Sequence, residues 1–216
     1  MSEEFTEETN VATWDSLEEG KMNVVPKVPK IYVISDIHSE FYSRNIDELL
    51  EKLPSVAADY CVLAGDIGSV MQYSDLMRKV FQYFVKRHKH VIFVPGNHEY
   101  YGSRYKIKEV NECLAALCVE EKVHLLNNDT IVLDGVLFIG ATLWSAIDEA
   151  GFKGINDSAH VFAHKVEYIE AFVKDYQFIK EELLKSFDYE YPVVVVTHHL
   201  PSKTLIHPRY RDHPSN

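Results

Sequence analysis

The sequence predicts an α/β fold, and three observations support that prediction. Four apolar runs, at residues 31–35, 60–64, 91–94 and 192–197, are nearly continuous, which is typical of strands buried on both faces. Apolar residues three or four positions apart lie between the first three runs, and this is the spacing of amphipathic helices. At 216 residues, of which 46% are hydrophobic, the chain is long enough to bury the core of one substantial domain.

The elements alternate along the chain. Residues 1–28 are expected to form an acidic flexible extension, because the first 20 residues hold seven acidic side chains and no basic one. The domain is expected to occupy residues 29–216, and its early part has the order of consecutive β-α-β units. Around the apolar runs the pattern predicts helices near 46–50, 76–84, 104–119 and 162–185, and short strands at 123–127, 130–134 and 136–140.

Two finer expectations concern the second half of the chain. Asp134-Gly135 has the composition of a two-residue hairpin turn, so it is expected to join the strands at 130–134 and 136–140. The long helix at 162–185 is expected to turn Val166 and Val173 toward the core, because they belong to its set of apolar residues at helical spacing.

Composition and charge restrict the kinds of partner and compartment. The net charge of -11 disfavours general binding to a phosphate backbone, so nucleic acid is not an expected partner. Cys61, Cys113 and Cys118 lack paired metal-binding spacing, which indicates reduced thiols and a cytoplasmic protein. No apolar run approaches the roughly 20 residues of a membrane span, so membrane association is not expected.

Polar residues follow the apolar runs at the points where four predicted strands end. Each group alone has a simpler explanation, such as turn chemistry or a structural histidine, but their combination favours one shared site. Ligands of open α/β sheets bind at the carboxyl ends of the strands, and mixed oxygen and nitrogen ligands suit Mn, Fe or Zn. The groups are Asp36 and His38; Asp66; Asn97, His98 and Glu99; and His198 and His199.

These groups also carry a family resemblance. The stretches SDIHS, LAGDIG, VPGNHEYY and VVVVTHHLPS resemble, in order and spacing, the signature blocks of the calcineurin-like metallophosphoesterases over about residues 30–202. GATLWS at 140–145 and IND at 155–157 resemble a small stand-alone branch of that superfamily. The resemblance implies a four-layer αββα sandwich that holds two divalent metal ions, Mn, Fe or Zn, at the strand ends.

The resemblance also implies a role for each residue. Asp36 and His38 would bind the first metal, Asp66 would bridge both, and Asn97 and His198 would bind the second. His98 would act on the substrate, as a general acid or by stabilising phosphoryl oxygens, while a metal-bridging hydroxide attacks phosphorus. Asp66 and His98 are therefore the implied catalytic residues. Glu99 is expected to orient His98, and His199 is a candidate for outer contacts with the metal ligands or the substrate.

The sequence departs from the family pattern at its end. The family's last block, Gly-His-X-His, normally supplies a histidine to each metal, and it is absent here. We expect a C-terminally incomplete, shortened domain; the other possibility is that His207 and His213 substitute for the missing ligands. Arg209 and Arg211 are expected in a loop, from which Arg209 could contact a substrate phosphate.

Two functions remain open from the sequence. The first is two-metal hydrolysis of a phosphomonoester or phosphodiester, with a phosphorylated small molecule as substrate. The alternative is a catalytically impaired phosphoesterase fold that binds or regulates, because of the missing ligand block. A nuclease would need a basic groove, which the acidic balance disfavours. Specificity is expected from the loops at 68–75, 145–160 and 200–214, and the oligomeric state is not predicted.

Overall fold

The computed structural model describes residues 29–102, 105–190 and 192–210. The expected acidic extension, Arg211 and His213 lie outside the described residues. Within them the strands are β1 Ile31–Ile34, β2 Tyr60–Ala64, β3 His90–Val94, β4 His124–Leu125, β5 Asp129–Leu133, β6 Val136–Ala141 and β7 Val193–Thr197. The α-helices are α1 Ile46–Lys52, α2 Val70–Val85, α3 Ile107–Glu121, α4 Glu149–Gly154, α5 Asp157–His160 and α6 Lys165–Ser186.

The strands form two sheets. The first is fully parallel in the order β1-β2-β3-β4, and Leu63 of β2 stands opposite Phe93 of β3. The second has the order β5-β6-β7, in which β5 and β6 are antiparallel and β6 and β7 are parallel. Asp134 and Gly135 both have positive φ, 50° and 77°, between the paired residues Leu133 and Val136, which confirms the predicted hairpin turn.

Successive side chains along the strands of the first sheet point to opposite faces, so they belong to two different cores. Cys61 and Leu63 of β2 join the core that includes α2 and α3, whereas Tyr60 and Val62 join a second core with Phe138 of β6. The second core therefore lies between the two sheets. Because α6 packs against β6, helices cover the outer side of the second sheet as well. The predicted α/β fold with helix-covered sheets in a four-layer sandwich is confirmed.

The structure differs from the expectations in a few helical details. Val166 and Val173 of α6 are exposed, so their predicted inward orientation is wrong; Tyr168, Asp175 and Ser186 are the buried residues of this helix. The short helices α4 and α5 were not predicted, because four to six residues are too few to show helical periodicity. Among the described helices, none is both long enough and apolar enough to cross a bilayer.

Candidate active site

The loops after β1 and β2 have an uncommon backbone conformation. Asp36, His38 and Asp66 have φ of 57°, 49° and 56°, in the left-handed region that residues other than glycine rarely adopt. Hydrogen bonds between the loops hold this conformation: the amide of Asp36 donates to the carbonyl of Gly65 at 3.1 Å, and that of His38 to Asp66 at 3.0 Å. Such backbone strain concentrates at functional sites.

The predicted metal ligands meet at this edge of the sheets. The Asp66 carboxylate lies between two histidines, with Oδ2 at 3.8 Å from His38 Nε2 and Oδ1 at 3.4 Å from His198 Nε2. Asp36 Oδ1 is 3.9 Å from His38 Nε2. Burial raises the pKa of Asp66, as expected for a carboxylate removed from water. We call Asp36, His38, Asp66, Asn97 and His198 the strand-end cluster.

His198 is oriented by the end of β2. Its Nδ1 donates to the carbonyl oxygen of Ala64 at 2.9 Å, and this contact turns Nε2 toward Asp66 and toward Asn97 Oδ1, which lies 3.2 Å away. The close approach requires glycine at two positions. A Cβ on Gly65 would lie 2.4 Å from His198 Nδ1, and a Cβ on Gly96 would lie 2.2 Å from Asp66 Oδ1.

The side-chain amide of Asn97 is fixed by contacts that the sequence did not predict. Asn97 Nδ2 donates to Asp157 Oδ1 at 2.8 Å and to the Tyr101 hydroxyl at 2.9 Å. The Tyr101 hydroxyl in turn donates to Asp157 Oδ1 at 2.5 Å. Both amide protons are therefore used, which leaves Oδ1 facing His198. Asp157 is buried at the start of α5, sixty positions from Asn97, so no local spacing could have indicated the contact.

Glu40 is a second residue that the sequence analysis missed. Its Oε1 lies 2.9 Å from His98 Nδ1 and 3.3 Å from His38 Nδ1, and the two imidazole rings are 4.3 Å apart. Burial opposes the charge of His98, but the hydrogen bond to Glu40 and the Asp66 carboxylate outweigh it and raise the pKa of His98. The available signal was the position of Glu40, two residues after His38 in SDIHSE.

Glu99 does not orient His98 as expected. Its carboxylate is buried and accepts hydrogen bonds from the backbone amides of Asp66, Ile67, Gly68 and Gly96, at 2.6–3.1 Å. Burial and the nearby Asp66 raise the pKa of Glu99 to about 7. Its place beside His98 is taken by Glu40, because the Glu99 side chain points back into the loops after β2 and β3 and ties them together.

The two remaining predicted residues, His199 and Arg209, lie in different environments. His199 lies against Trp144, with ring centroids 5.5 Å apart, and burial together with His198 lowers the pKa of His199 to about 3. His199 Nδ1 is buried without a hydrogen-bond partner among the described residues. Arg209 is exposed, and its amide donates to His207 Nδ1 at 3.2 Å. A role of Arg209 in phosphate binding stays a prediction.

The donor atoms suit divalent cations. Ligand atoms of Asp36, Asp66 and His198 lie within 4.8 Å of one another, as do those of His38, Glu40 and His98. The imidazoles of His38 and His198 each have Nδ1 hydrogen-bonded and Nε2 turned to Asp66, which is the arrangement of metal-binding histidines with an outer partner. Glu40 Oε2 is buried and has no hydrogen-bond partner in the described part of the chain. Carboxylate, imidazole and amide donors fit Mn, Fe or Zn.

The fold and the site are those of an α/β protein with candidate metal ligands at the carboxyl ends of its strands. The family model of the calcineurin-like phosphoesterases matches residues 29–215, and the chain belongs to this family. Proteins of the family typically bind divalent metals, and membership supports a hydrolase that acts on phosphoesters.

A curated relative and two solved structures are similar to the chain. "Uncharacterized protein L509" of Acanthamoeba polyphaga mimivirus is 31% identical over 193 residues, and the match covers 78% of this chain and 66% of the relative, just under two thirds of its length. The crystal structure of phosphopantetheinyl hydrolase (PptH) from Mycobacterium tuberculosis has a TM-score of 0.56 at 19% identity, over 84% of this chain and 73% of that chain, and it supports the fold. The crystal structure of TT1561 of Thermus thermophilus has a TM-score of 0.49 at 17% identity, over 81% of this chain and 69% of that chain.

Proposed function

We propose that the chain hydrolyses a phosphomonoester or phosphodiester in a reaction that depends on two divalent metal ions, with a phosphorylated small molecule as substrate. The observation that carries the proposal is the convergence of the strand-end cluster around Asp66, with His98 beside it. The net charge of -11 disfavours nucleic acid as the substrate.

The strand-end cluster would hold the ions, with Asp66 between the histidines His38 and His198. A pair of divalent cations supplies positive charge for the phosphoryl oxygens and lowers the pKa of a bound water toward neutrality. The protein's contribution is to fix the donors in advance. The carbonyl of Ala64 orients His198, and the Asp157 and Tyr101 side chains orient Asn97, so little rearrangement is needed on binding.

His98 is the residue placed to transfer a proton. Its Nδ1 is bonded to Glu40, which leaves Nε2 for the substrate, and the Glu40 carboxylate favours the protonated ring. In the proposed reaction a water oxygen attacks phosphorus and gives up a proton to bulk water, and the ester P–O bond breaks. The leaving oxygen takes a proton from His98 Nε2, and His98 is then protonated again from solvent. A positioned general acid contributes about a hundredfold or more to the rate.

The test is hydrolysis of an aryl phosphomonoester and an aryl phosphodiester in the presence of Mn²⁺, with Mn²⁺ binding measured separately by calorimetry. We expect His98→Ala to lower kcat about a hundredfold or more while Mn²⁺ still binds, because the ring acts on the substrate. Asp66→Asn is expected to abolish both hydrolysis and tight Mn²⁺ binding. Asp47→Asn, at an exposed position on α1, is the matched control and should change neither.

Two results would contradict the proposal. If Mn²⁺ binds and neither ester is hydrolysed, the chain is a phosphoesterase fold that binds without catalysis. If hydrolysis proceeds at the same rate after chelation of all divalent ions, the metal dependence is wrong.

A further inference from the structure

A cavity of about 660 Å³ opens beside the strand-end cluster, and we call it the side cavity. Asn97, His98 and Tyr101 form the side of it nearest the cluster. The rest of the lining comes from residues 143–147 and 154–157, from α6, and from residues 199–203 and Ile206. The volume is within the range of about 300–1,000 Å³ that is typical of small-molecule sites. Because Asn97 and His98 line the side cavity, a group bonded to a phosphoryl group at the cluster would have this space beside it.

Most of the remaining lining residues are aromatic or aliphatic. Trp144 and Tyr168 form the buried part of this lining, and their rings meet edge to face at 5.5 Å. Phe172, Ile147, Ile155 and Leu200 add partly buried or exposed apolar surface around the opening. Such surfaces bind flat, apolar groups by contact and by release of water.

Charged side chains are scarce among the residues that line the side cavity. Of these lining residues, Lys203 has the one permanent positive charge, and it is exposed at the rim. Asp157 is the one carboxylate among them, and it is already hydrogen-bonded to Asn97 and Tyr101. A second negative charge on a substrate would therefore enter the cavity without a buried cation to pair with it, which is unfavourable.

We infer that the side cavity binds the organic group of the phosphoester, and that this group is uncharged and apolar, with an aromatic ring or a similar flat surface. The inference rests on the proposed function, since it assigns the cavity to the same substrate. It disfavours substrates whose organic group carries further negative charge, such as nucleoside diphosphates and acidic phosphopeptides.

The test compares aryl phosphates that differ only in charge or in apolar area. We expect 4-carbamoylphenyl phosphate to exceed 4-carboxyphenyl phosphate in kcat/KM by about tenfold or more, and 2-naphthyl phosphate to have a lower KM than phenyl phosphate. Equal kcat/KM for the neutral and the charged ester would overturn the inference.

Charge placed on the wall gives a sharper test. Leu200 lines the side cavity but is 57% exposed, so substitution there should not prevent folding. Leu200→Lys should reduce the preference for the neutral ester severalfold, and Leu200→Glu should increase it. Leu205, 58% exposed in the same segment, is not among the lining residues, so Leu205→Lys and Leu205→Glu should leave the preference unchanged. If the Leu205 variants shift the ratio as much as the Leu200 variants, long-range charge explains the preference and the inference fails.

A binding measurement separates this inference from the proposed function. Binding of 4-hydroxybenzamide and of 4-hydroxybenzoate to the metal-free chain can be followed by NMR, without turnover. We expect the amide to perturb the signals of Leu200 and Trp144 and the benzoate to leave them unchanged. Binding of the amide without hydrolysis of any ester would reject the proposed function and keep the cavity assignment. Hydrolysis of the esters with neither compound binding would reject the cavity assignment and keep the proposed function.

Discussion

The strand-end cluster and the side cavity are held in place by different kinds of interaction. Cluster residues lie within a few positions of a strand end, and backbone hydrogen bonds between neighbouring loops, such as His38 to Asp66, fix them. The cavity wall is assembled from side chains that are far apart in sequence, such as Trp144, Tyr168 and Leu200. The geometry of the strand-end cluster, the proposed phosphoryl end of the site, is thus determined by the backbone. The side cavity, the proposed organic end, is determined by side-chain packing. Substitutions in the two regions should therefore change different observables.

The largest effect is expected where a side chain would enter the backbone-determined region. In Gly96→Ala the new Cβ would lie 2.2 Å from Asp66 Oδ1, 2.6 Å from the Asp66 amide nitrogen and 2.9 Å from His198 Cδ2, so the loop must move. We expect a loss of about 1–3 kcal/mol in the free energy of unfolding. We also expect a fall of about a thousandfold in Mn²⁺-dependent hydrolysis, because the cluster and His98 are displaced together.

Chemical denaturation and an aryl phosphate assay would check the effect of Gly96→Ala. Gly154→Ala is the control for stability, since nothing lies within 4 Å of a Cβ at that position. It should leave the denaturation midpoint unchanged or slightly raised. A Gly96→Ala variant as stable and as active as the parent would show that the loop adapts freely and that the backbone does not determine the geometry of the strand-end cluster.

Glu99→Gln is expected to act chiefly on stability. The Glu99 carboxylate accepts from backbone amides on the loops after β2 and β3, and an amide side chain would turn an N–H toward one or more of those donors. We expect the free energy of unfolding to fall by about 2–3 kcal/mol, which denaturation would measure.

Glu109→Gln is the matched control for Glu99→Gln. Glu109 also accepts from a backbone amide, that of Lys106, but it is exposed, so its replacement should leave the denaturation midpoint unchanged. Equal effects of the two substitutions would contradict the role of Glu99 in joining the two loops.

The sequence predicted the cluster well for a physical reason. Parallel strands bring their carboxyl ends to one edge, so Asp36, Asp66 and Asn97 could be assigned to the same place from strand order alone. Each of them lies close to the end of its strand, where the run of apolar residues stops. The apolar runs also predicted the first and last residues of most strands to within one or two positions.

The side-chain contacts around the cluster could not be predicted in the same way. Asp157 meets Asn97 only because the segment after β6 folds back over the site, and no periodicity encodes that path. Glu99 was assigned to the wrong partner, because adjacency in sequence to His98 does not fix the direction of its side chain. The spacing of apolar residues predicted helix α6 but did not fully predict which of its residues are buried. Part of the helix surface lines the side cavity, and part faces solvent.

An effect of intermediate size is expected for Asp157→Ala, because Asp157 is distant in sequence but fixes the side chain of a cluster residue, Asn97. Asp157→Ala removes the acceptor that fixes Asn97 Nδ2, so the Asn97 amide is free to rotate its oxygen away from His198. We expect Mn²⁺ affinity to fall by about 10- to 100-fold, as is common when an outer partner of a metal ligand is removed. Calorimetric titration with Mn²⁺ measures this directly.

Ser158→Ala is the control for Asp157→Ala within the same helix. Ser158 donates to the carbonyl of Ile155 and has no hydrogen bond with Asn97, so Mn²⁺ affinity should not change. Tyr101→Phe removes the other partner of the amide and one donor to Asp157, but it keeps the contact between Asn97 and Asp157, so it should give a smaller loss than Asp157→Ala. Unchanged affinity in Asp157→Ala would mean that Asn97 does not need this contact to bind metal.

The smallest effect is expected at Glu40, which contacts both the cluster and His98. Glu40→Gln keeps an oxygen that can accept from His98 Nδ1 but removes the charge, whereas Glu40→Ala removes the hydrogen bond as well. We expect kcat for an aryl phosphate to fall about tenfold in Glu40→Ala and less in Glu40→Gln, with little change in KM, because the ring of His98 loses its orientation.

Glu51 is exposed on α1, so the control variant Glu51→Ala should alter neither constant. If Glu40→Ala instead raises KM and leaves kcat unchanged, Glu40 acts in binding and not through His98. Equal losses of kcat in the Ala and Gln variants would assign its effect to charge alone.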